Sequence, residues 1–219
     1  MKVQWRYAAD ALPFLLGGAQ VTLEVSLLAV AVGLAVGIAL TLIRQLRIRT
    51  LDYLVALYIS LMRGTPLFIQ ILVVYFTLPA IGFDVPRFQA GVIALSLNSG
   101  AYITEMIRGG LTGIPRGQVD AARALGMPNR IIWGHIVLPQ VLFLILPPLA
   151  VEFTGLLKAS ALLSIIGVVE LTRTAQRIIV DTFRPVEVWL VTGALYFIMC
   201  FALGAVTRRF ERIASAYRS

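Results

Sequence analysis

The chain has very few of the residues that support catalysis or metal binding. Its single cysteine, Cys200, lies in an apolar run, which excludes an intrachain disulfide and predicts a small buried side chain. The only histidine, His135, has no cysteine, aspartate or glutamate near it in sequence, so no metal site is predicted. Neither lysine, Lys2 or Lys158, follows the glycine-rich loop of a phosphate-binding motif, which excludes that kind of nucleotide site.

Charge is also scarce. Charged residues make up 14% of the 219 residues, against about 25% in soluble domains. The chain is 59% hydrophobic with a mean hydropathy of +0.88, which indicates a membrane protein. Its net charge of +8 would suggest a nucleic-acid partner in a soluble protein. Here the arginines flank apolar runs, so we expect them to orient the chain in a lipid bilayer and expect no nucleic-acid partner.

Long apolar runs predict an all-α integral membrane protein with about five transmembrane helices. The runs lie at Val25–Ile43, Leu51–Leu78, Phe88–Ile107, Ile136–Leu157 and Val188–Val206. A shorter run, Ala161–Val169, is too short to span and is interpreted as re-entrant or interfacial, and residues 161–182 are not placed by the sequence.

Arginine positions predict the orientation. With the amino terminus outside, the inside segments carry more basic residues than the outside segments, which favours this topology. The inside set is Arg44, Arg47, Arg49, Arg108, Arg116, Arg123, Arg130, Arg208, Arg209, Arg212 and Arg218. The outside set is Lys2, Arg6, Arg87, Lys158, Arg173, Arg177 and Arg184.

Several prolines lie at or inside the predicted spans. Pro66 is expected to kink or break the second span, and breaks are also expected at Pro139 and at Pro147–Pro148. Broken helices in lipid need protein or a water-filled cavity to satisfy the freed backbone groups. The prolines and nearby glycines therefore indicate either a translocation pathway or ordinary helix packing through small residues.

A polar, basic segment, residues 117–139, separates the third and fourth spans. Pro115 suits a first helical turn, and Ala121, Ala122, Ala124 and Leu125 are strong helix formers. Asp120 lies where the helix dipole favours a negative charge, and Gly126 suits a left-handed cap. The pattern predicts a short cytoplasmic helix and a sharp turn, with Ala121 and Ala122 open to a partner's groove. The alternative is a solvated connecting loop.

This segment resembles the cytoplasmic "EAA" loop of bacterial ABC importer permeases. Asp120-Ala121-Ala122, three residues, Gly126, nine residues and Ile136-Val137-Leu138-Pro139 fit its spacing, with Asp120 in place of the usual glutamate. The resemblance implies a coupling helix in which Gly117, Asp120, Ala121, Ala122, Ala124, Leu125 and Gly126 contact an ATP-binding subunit.

Further stretches are similar to the polar amino acid branch of that family. Arg63-Gly64-Thr65-Pro66-Leu67 is similar to its "RGTPL", and residues 98–110 are similar to its "SAYxAExxRGG". Leu138-Pro139-Gln140 and residues 146–149 match its "LPQ" and "LPPL". The branch often reads Lys-Asp-Thr-Ser where this chain reads Lys158-Ala159-Ser160-Ala161, so no particular amino acid is carried over.

The resemblance implies a transmembrane domain at residues 17–213, with a coupling loop at about 115–139. Residues 1–16 form an amino-terminal segment and residues 214–219 a cytoplasmic tail. Implied partners are two ATP-binding subunits that hold ATP and Mg²⁺, a second permease that is either another copy or a related chain, and an extracytoplasmic solute-binding protein. The implied location is the bacterial cytoplasmic membrane, and the implied role is non-catalytic translocation of amino acids or related polar solutes.

Ionisable and polar residues at membrane depth are candidates for the substrate pathway, because they are costly in lipid. The candidates are Glu24, Asn98, Ser99, Tyr102, Glu152, Thr154 and Lys158. For Asn98, Ser99 and Tyr102, hydrogen bonding between helices is an equal alternative. Glu105 and Arg108, three residues apart, are predicted to form a local ion pair.

Two other functions remain open at this point. A secondary transporter usually needs more spans and internal repeats, and none is evident. A structural membrane anchor would leave the prolines and the polar segment unexplained.

Overall fold

The computed structural model describes residues 5–216 of the chain, with side chains for residues 6–207. Lys2, Arg218 and residues 217–219 of the predicted tail lie outside the described residues, as do the side chains of Arg208, Arg209 and Arg212. The helices are α1 Trp5–Gln45, α2 Arg49–Gly64, α3 Leu67–Ala80, α4 Arg87–Thr112, α5 Arg116–Ala124, α6 Asn129–Ile131, α7 Leu138–Ala159, α8 Leu171–Thr182 and α9 Pro185–Ala216. A π-helical segment, Ile132–Val137, precedes α7, and a 3₁₀ helix, Ser160–Ile166, follows it.

The described part of the chain is helical throughout its regular structure, as predicted. Three stretches are long and apolar enough to cross a membrane, namely Arg6–Gln45, Asn129–Ile166 and Pro185–Thr207. Helices α2 and α3, which are bent by 113°, make a fourth if the pair counts as one span. The predicted span Phe88–Ile107 lies within α4, which is about 39 Å long but does not reach the same apolarity. The number of spans and the orientation stay predictions.

The amino-terminal part of the chain is helical much earlier than the apolar runs indicate. Helix α1 begins at Trp5 and continues through Pro13 to Gln45, whereas the predicted run begins at Val25. Leu15 and Ala19 in this early part are buried against α8 and α9. Packing therefore extends the helix beyond the stretch that hydropathy marks.

Helix α4 lies at the centre and packs most extensively on α1. The contact is close because glycines replace side chains. A Cβ atom on Gly37 would lie 2.6 Å from Ile103 Cγ2, and one on Gly100 would lie 2.6 Å from Val36 Cγ1. Gly33 and Gly37 are four residues apart, the small-residue spacing that lets membrane helices approach closely. These glycines serve helix packing, the alternative left open above.

The predictions of helix breaks at prolines have different outcomes. The break at Pro66 is confirmed: α2 ends at Gly64, α3 begins at Leu67, and the two helices bend by 113°. The predicted break at Pro147–Pro148 is wrong, because both prolines lie inside the continuous helix α7. Pro139 does not break the chain's course either, since it lies in the first turn of α7 directly after the π-helical segment. A wider turn just before a proline gives its ring room, and such segments occur at functional sites.

Residues 161–182, which the sequence did not place, form the 3₁₀ helix, a left-handed turn at Gly167 (φ 83°) and the amphipathic helix α8. Glu170 fixes the start of α8. Its buried carboxylate accepts hydrogen bonds from the amides of Thr172 and Arg173, each at 2.8 Å, and from the Tyr196 hydroxyl at 3.0 Å. Cys200 is only half-buried, so the prediction of a buried thiol needs correction.

Candidate coupling site and intramembrane polar residues

The predicted short helix is present as α5, a nine-residue helix that begins after Pro115. Pro115 itself has an extended conformation (ψ 124°) and precedes the first turn. Gly126 has a φ of 75°, which confirms the predicted left-handed cap. The Gly126 amide donates to the Arg123 carbonyl at 2.9 Å, and the Met127 amide donates to the Ala122 carbonyl at 3.1 Å. This pair of bonds is a Schellman motif, which ends the helix at a defined residue.

Helix α5 is attached to α7 through its buried side. Ala122 is only 4% exposed and lies in a cluster with Ile132 and Val137 of the π-helical segment. Gln140 Nε2 donates to Gln118 Oε1 at 2.8 Å, a second link between the two elements. The expectation that the Ala122 side chain faces a partner is therefore corrected, because this side chain packs inside the chain.

The other predicted coupling residues lie on the free surface of α5 and its cap. Leu125 is the most prominent, with 81% of its surface exposed. The exposed set is Gly117, Asp120, Ala121, Ala124, Leu125 and Gly126. Asp120 pairs with Arg123 at 3.6 Å. A cleft of about 320 Å³ runs beside the helix, and Arg116 and Trp133 contribute to its wall. The exposed Leu125, the small residues and the charged pair thus share one surface.

Asn98, a candidate for the pathway, is used inside the chain. Pro66 has no amide hydrogen, so it leaves the Met62 carbonyl without its helical partner. Asn98 Nδ2 donates to that carbonyl at 3.1 Å and Gln70 Nε2 donates to it at 2.8 Å. Gln70 Nε2 also donates to the Thr65 carbonyl at 3.1 Å, and its Oε1 accepts from Asn98 at 2.9 Å. The two amides hold the α2–α3 bend against α4. Gln70 was missed, although the proline four residues before it was a signal.

Ser99 and Glu152 are brought together by α4 and α7. Ser99 is fully buried, and its hydroxyl has no well-formed hydrogen bond. The half-buried Glu152 carboxyl faces it, at a geometry short of a regular hydrogen bond. Thr154, two residues after Glu152 along the chain, donates to the Ala150 carbonyl of its own helix at 3.0 Å.

Glu24 and Lys158 are exposed on the surface of the single chain. Glu24 accepts a hydrogen bond from Gln20 at 2.8 Å, one turn away on α1. Among the described residues, no hydrogen bond or ion pair joins either charge to the other pathway candidates. The pathway candidates are therefore not joined into one hydrogen-bonded network within the described part of the chain.

Tyr102 and Glu105 lie on the side of α4 that faces α2. The Arg63 guanidinium carbon lies 5.4 Å from the centre of the Tyr102 ring. The predicted pair of Glu105 and Arg108 is confirmed, with Nη2 and Oε2 2.6 Å apart. The sequence did not show that Glu105 also faces Arg44 of α1 at 3.6 Å and Arg63 of α2 at 3.9 Å. One carboxylate thus faces guanidinium groups from three helices.

The sequence of this chain matches a family model over most of its length. Residues 22–214 match the model for "Binding-protein-dependent transport system inner membrane component". The match covers most of the chain, including α5 and all the long helices except the beginning of α1 and the end of α9.

Relatives and solved structures agree with that match. The chain is 35% identical over 213 residues to the arginine transport system permease protein ArtQ of Bacillus subtilis, covering 97% of both chains. It is 35% identical over 214 residues to the glutamine transport system permease protein GlnP of Escherichia coli K12, covering 97% of this chain and 98% of that one. A crystal structure of an amino acid ABC transporter with histidines aligns with a TM-score of 0.91 and 37% identity, covering 97% of this chain and 99% of that chain. The MetNI methionine ABC transporter shares the fold, with a TM-score of 0.67 and 22% identity, covering 91% of this chain and 97% of that chain.

Proposed function

The chain belongs to the family of binding-protein-dependent transport system inner membrane components and is a permease subunit of an ABC importer, and from this premise we propose that it carries polar amino acids across the bacterial cytoplasmic membrane. The names of the relatives, an arginine and a glutamine permease, support this class of cargo. They do not select one amino acid, and Ala159 stands where the branch often has an acid. The chain's own role is translocation without catalysis.

The proposed assembly has two permeases around a central path, which are either two copies of this chain or this chain and a related one. Each would bind one ATPase that holds ATP and Mg²⁺, and a solute-binding protein would deliver cargo on the opposite face. Closure of the ATPases would open the path outward, and hydrolysis would reset it. Release into the cytoplasm requires that the two states differ in their affinity for the solute.

Exposed charges support a path between two permeases. Glu24 lies within a candidate membrane span, as does Lys158, and both are exposed in the single chain. Lipid contact at that depth is costly for either charge. A second permease and a water-filled path between the two would remove this cost. Glu152, Thr154, Ser99 and Tyr102 lie deeper within the chain, so we propose that they support the wall of the path.

The observation that carries the docking proposal is the exposed Leu125 at the end of α5. A leucine that is 81% exposed at the end of a capped helix offers apolar surface whose burial by a partner would be favourable. Ala121 and Ala124 flank it with small side chains, and Asp120 and Arg123 provide charges at the rim. This surface fits an apolar pocket with a charged edge on the ATPase.

Replacing Leu125 with aspartate tests the docking surface. Central apolar anchors of interfaces contribute about 2 kcal/mol or more, so we expect affinity for the ATPase to fall about thirtyfold. The measurement is co-purification of the ATPase with the tagged permease, followed by titration in nanodiscs. Leu125→Met is the matched control, because it keeps an apolar side chain of similar volume.

Unchanged ATPase affinity in Leu125→Asp would contradict the docking proposal.

A separate experiment addresses the class of transporter. Vesicles that contain the permease alone and an ion gradient should accumulate no solute, because the driving force is ATP. Uptake without any ATPase would favour a secondary transporter instead.

A further inference from the structure

Three helices meet at Glu105, on the part of α4 that leads to the coupling helix. The carboxylate is held bidentately by Arg108, with Nε 3.1 Å from each oxygen and Nη2 2.6 Å from Oε2. Arg44 at the end of α1 and Arg63 at the end of α2 approach it at 3.6 and 3.9 Å. The side chain of Glu105 is 20% exposed, less than those of its three partners.

The position of this cluster along the chain connects it to α5. Helix α4 ends at Thr112, and only Gly113, Ile114 and Pro115 separate it from α5. Ile114 is buried in the same cluster as Ala122, so this link is packed against the body of the chain. A displacement of α5 is therefore passed to the last turns of α4, on which Glu105 lies.

The cluster also connects α4 to the bent pair α2–α3. Arg63 lies at the end of α2, directly before the break at Pro66, and its guanidinium group covers the Tyr102 ring. Arg44 Nε is also bound to Asp52 Oδ1 at 2.7 Å, a separate contact between α1 and α2 that does not include α4. Replacing Glu105 with a neutral side chain would leave three guanidinium groups facing one another. Repulsion between their like charges would disfavour this arrangement. Only this carboxylate bridges all three helices among the described ion pairs.

We propose that Glu105 is a positioning residue that couples movement of α5 to movement of α1 and α2, so that ATP-driven displacement of the coupling helix opens the path. This inference rests on the proposed function. Without the carboxylate, α5 and α4 would still bind and follow the ATPase, while α1 and α2 would no longer follow α4. ATP hydrolysis would then continue with less transport.

The test uses the complete importer, with its ATPase and binding protein, in liposomes. The readouts are ATP hydrolysis and accumulation of radiolabelled L-glutamine and L-arginine. For Glu105→Gln we expect transport per ATP to fall at least about fivefold, the lower end of typical coupling between sites. Glu105→Asp should restore most of the ratio, because it retains the charge. Arg63→Gln, which removes only the link to α2, should have a smaller effect in the same direction.

Asp52→Asn is the matched control. It removes a carboxylate from the Arg44 guanidinium at a more exposed site that does not involve α4, so the transport ratio should not change. A merely structural role for Glu105 would lower thermal stability and reduce hydrolysis and transport together, with the ratio preserved. That result, or an unchanged ratio in a stable Glu105→Gln complex, would overturn the inference. A wild-type chain that binds no ATPase would instead overturn the proposed function.

Discussion

Helices α4 and α9 show opposite relations between polarity and burial. Half of the residues of α4 are buried, including Ser96, Asn98, Ser99 and Thr104. In the described part of α9 only Glu187, Val188 and Thr192 are buried, and large side chains such as Phe197 face outward. Yet α9 is long and apolar enough to cross a membrane, whereas α4 is long enough but less apolar. The difference teaches that hydropathy marks the helices that face outward, whereas the helix at the centre is recognised by small residues and buried polar residues.

The largest expected effect concerns the glycines that bring α1 onto α4. A Cβ atom on Gly100 would lie 2.6 Å from Val36 Cγ1 and 3.4 Å from the Gly33 carbonyl oxygen. Gly100→Leu should therefore lower the free energy of unfolding by about 3 kcal/mol or more, because overpacking forces backbone shifts. The measurement is thermal unfolding of the purified chain in nanodiscs.

Gly193→Leu in α9 is the matched control for Gly100→Leu. Apart from its own helix backbone and its chain neighbours, nothing in the described residues lies within 4 Å of a Cβ atom placed on Gly193, which is exposed. We expect little change in its melting temperature. Equal destabilisation by the two substitutions would break the comparison between the helices.

A smaller effect is expected at the α2–α3 bend. Gln70→Leu removes the side chain that donates to the Met62 and Thr65 carbonyls beside Pro66. The Met62 carbonyl keeps its bond from Asn98, but the Thr65 carbonyl loses its bond from Gln70, and the buried Asn98 amide loses its bond to Gln70 Oε1. A buried polar group without its partner costs about 1–3 kcal/mol. The control in α9 is Thr192→Val, because Thr192 donates only to the Val188 carbonyl of its own helix. Chemical unfolding of both variants should show the larger loss for Gln70→Leu, and equal losses would contradict the role assigned to the amide.

What the sequence could predict follows the same division. The ending of α5 was predictable because Gly126 and the alanines before it act through local backbone geometry, and the break at Pro66 follows from one missing amide hydrogen. The burial of Ala122 was not predictable, because it depends on where α7 lies. The continuity of α7 through Pro147 and Pro148 was mispredicted for the same reason: neighbouring helices decide whether a proline breaks a membrane helix.

In the candidate site, too, local spacing was predictable from the sequence and tertiary contacts were not. The pair of Glu105 and Arg108 follows from their spacing on one helix, but Arg44 and Arg63 join it only through tertiary packing. Asn98 was predicted as either a pathway residue or a link between helices. Its bonds to Met62 and Gln70 show the link between helices, because they satisfy groups that the break at Pro66 exposes, and its place in the pathway stays a prediction.

The smallest expected effect is that of Phe197→Leu on the outer face of α9. Phe197 is 69% exposed, and its ring stacks on Phe201 with the centroids 5.9 Å apart. Phe197→Leu keeps an apolar surface toward lipid and loses only the ring pair, which contributes about 0.5–1.5 kcal/mol in packed sites. We expect the lower end of that range, because the pair is exposed. Phe197→Asp sharpens the result, since an aspartate at the middle of a membrane helix costs about 2.5–3.5 kcal/mol. If Phe197→Asp unfolds no more readily than Phe197→Leu in nanodiscs, this face contacts water or a partner, and α9 is not the lipid-facing counterpart of α4.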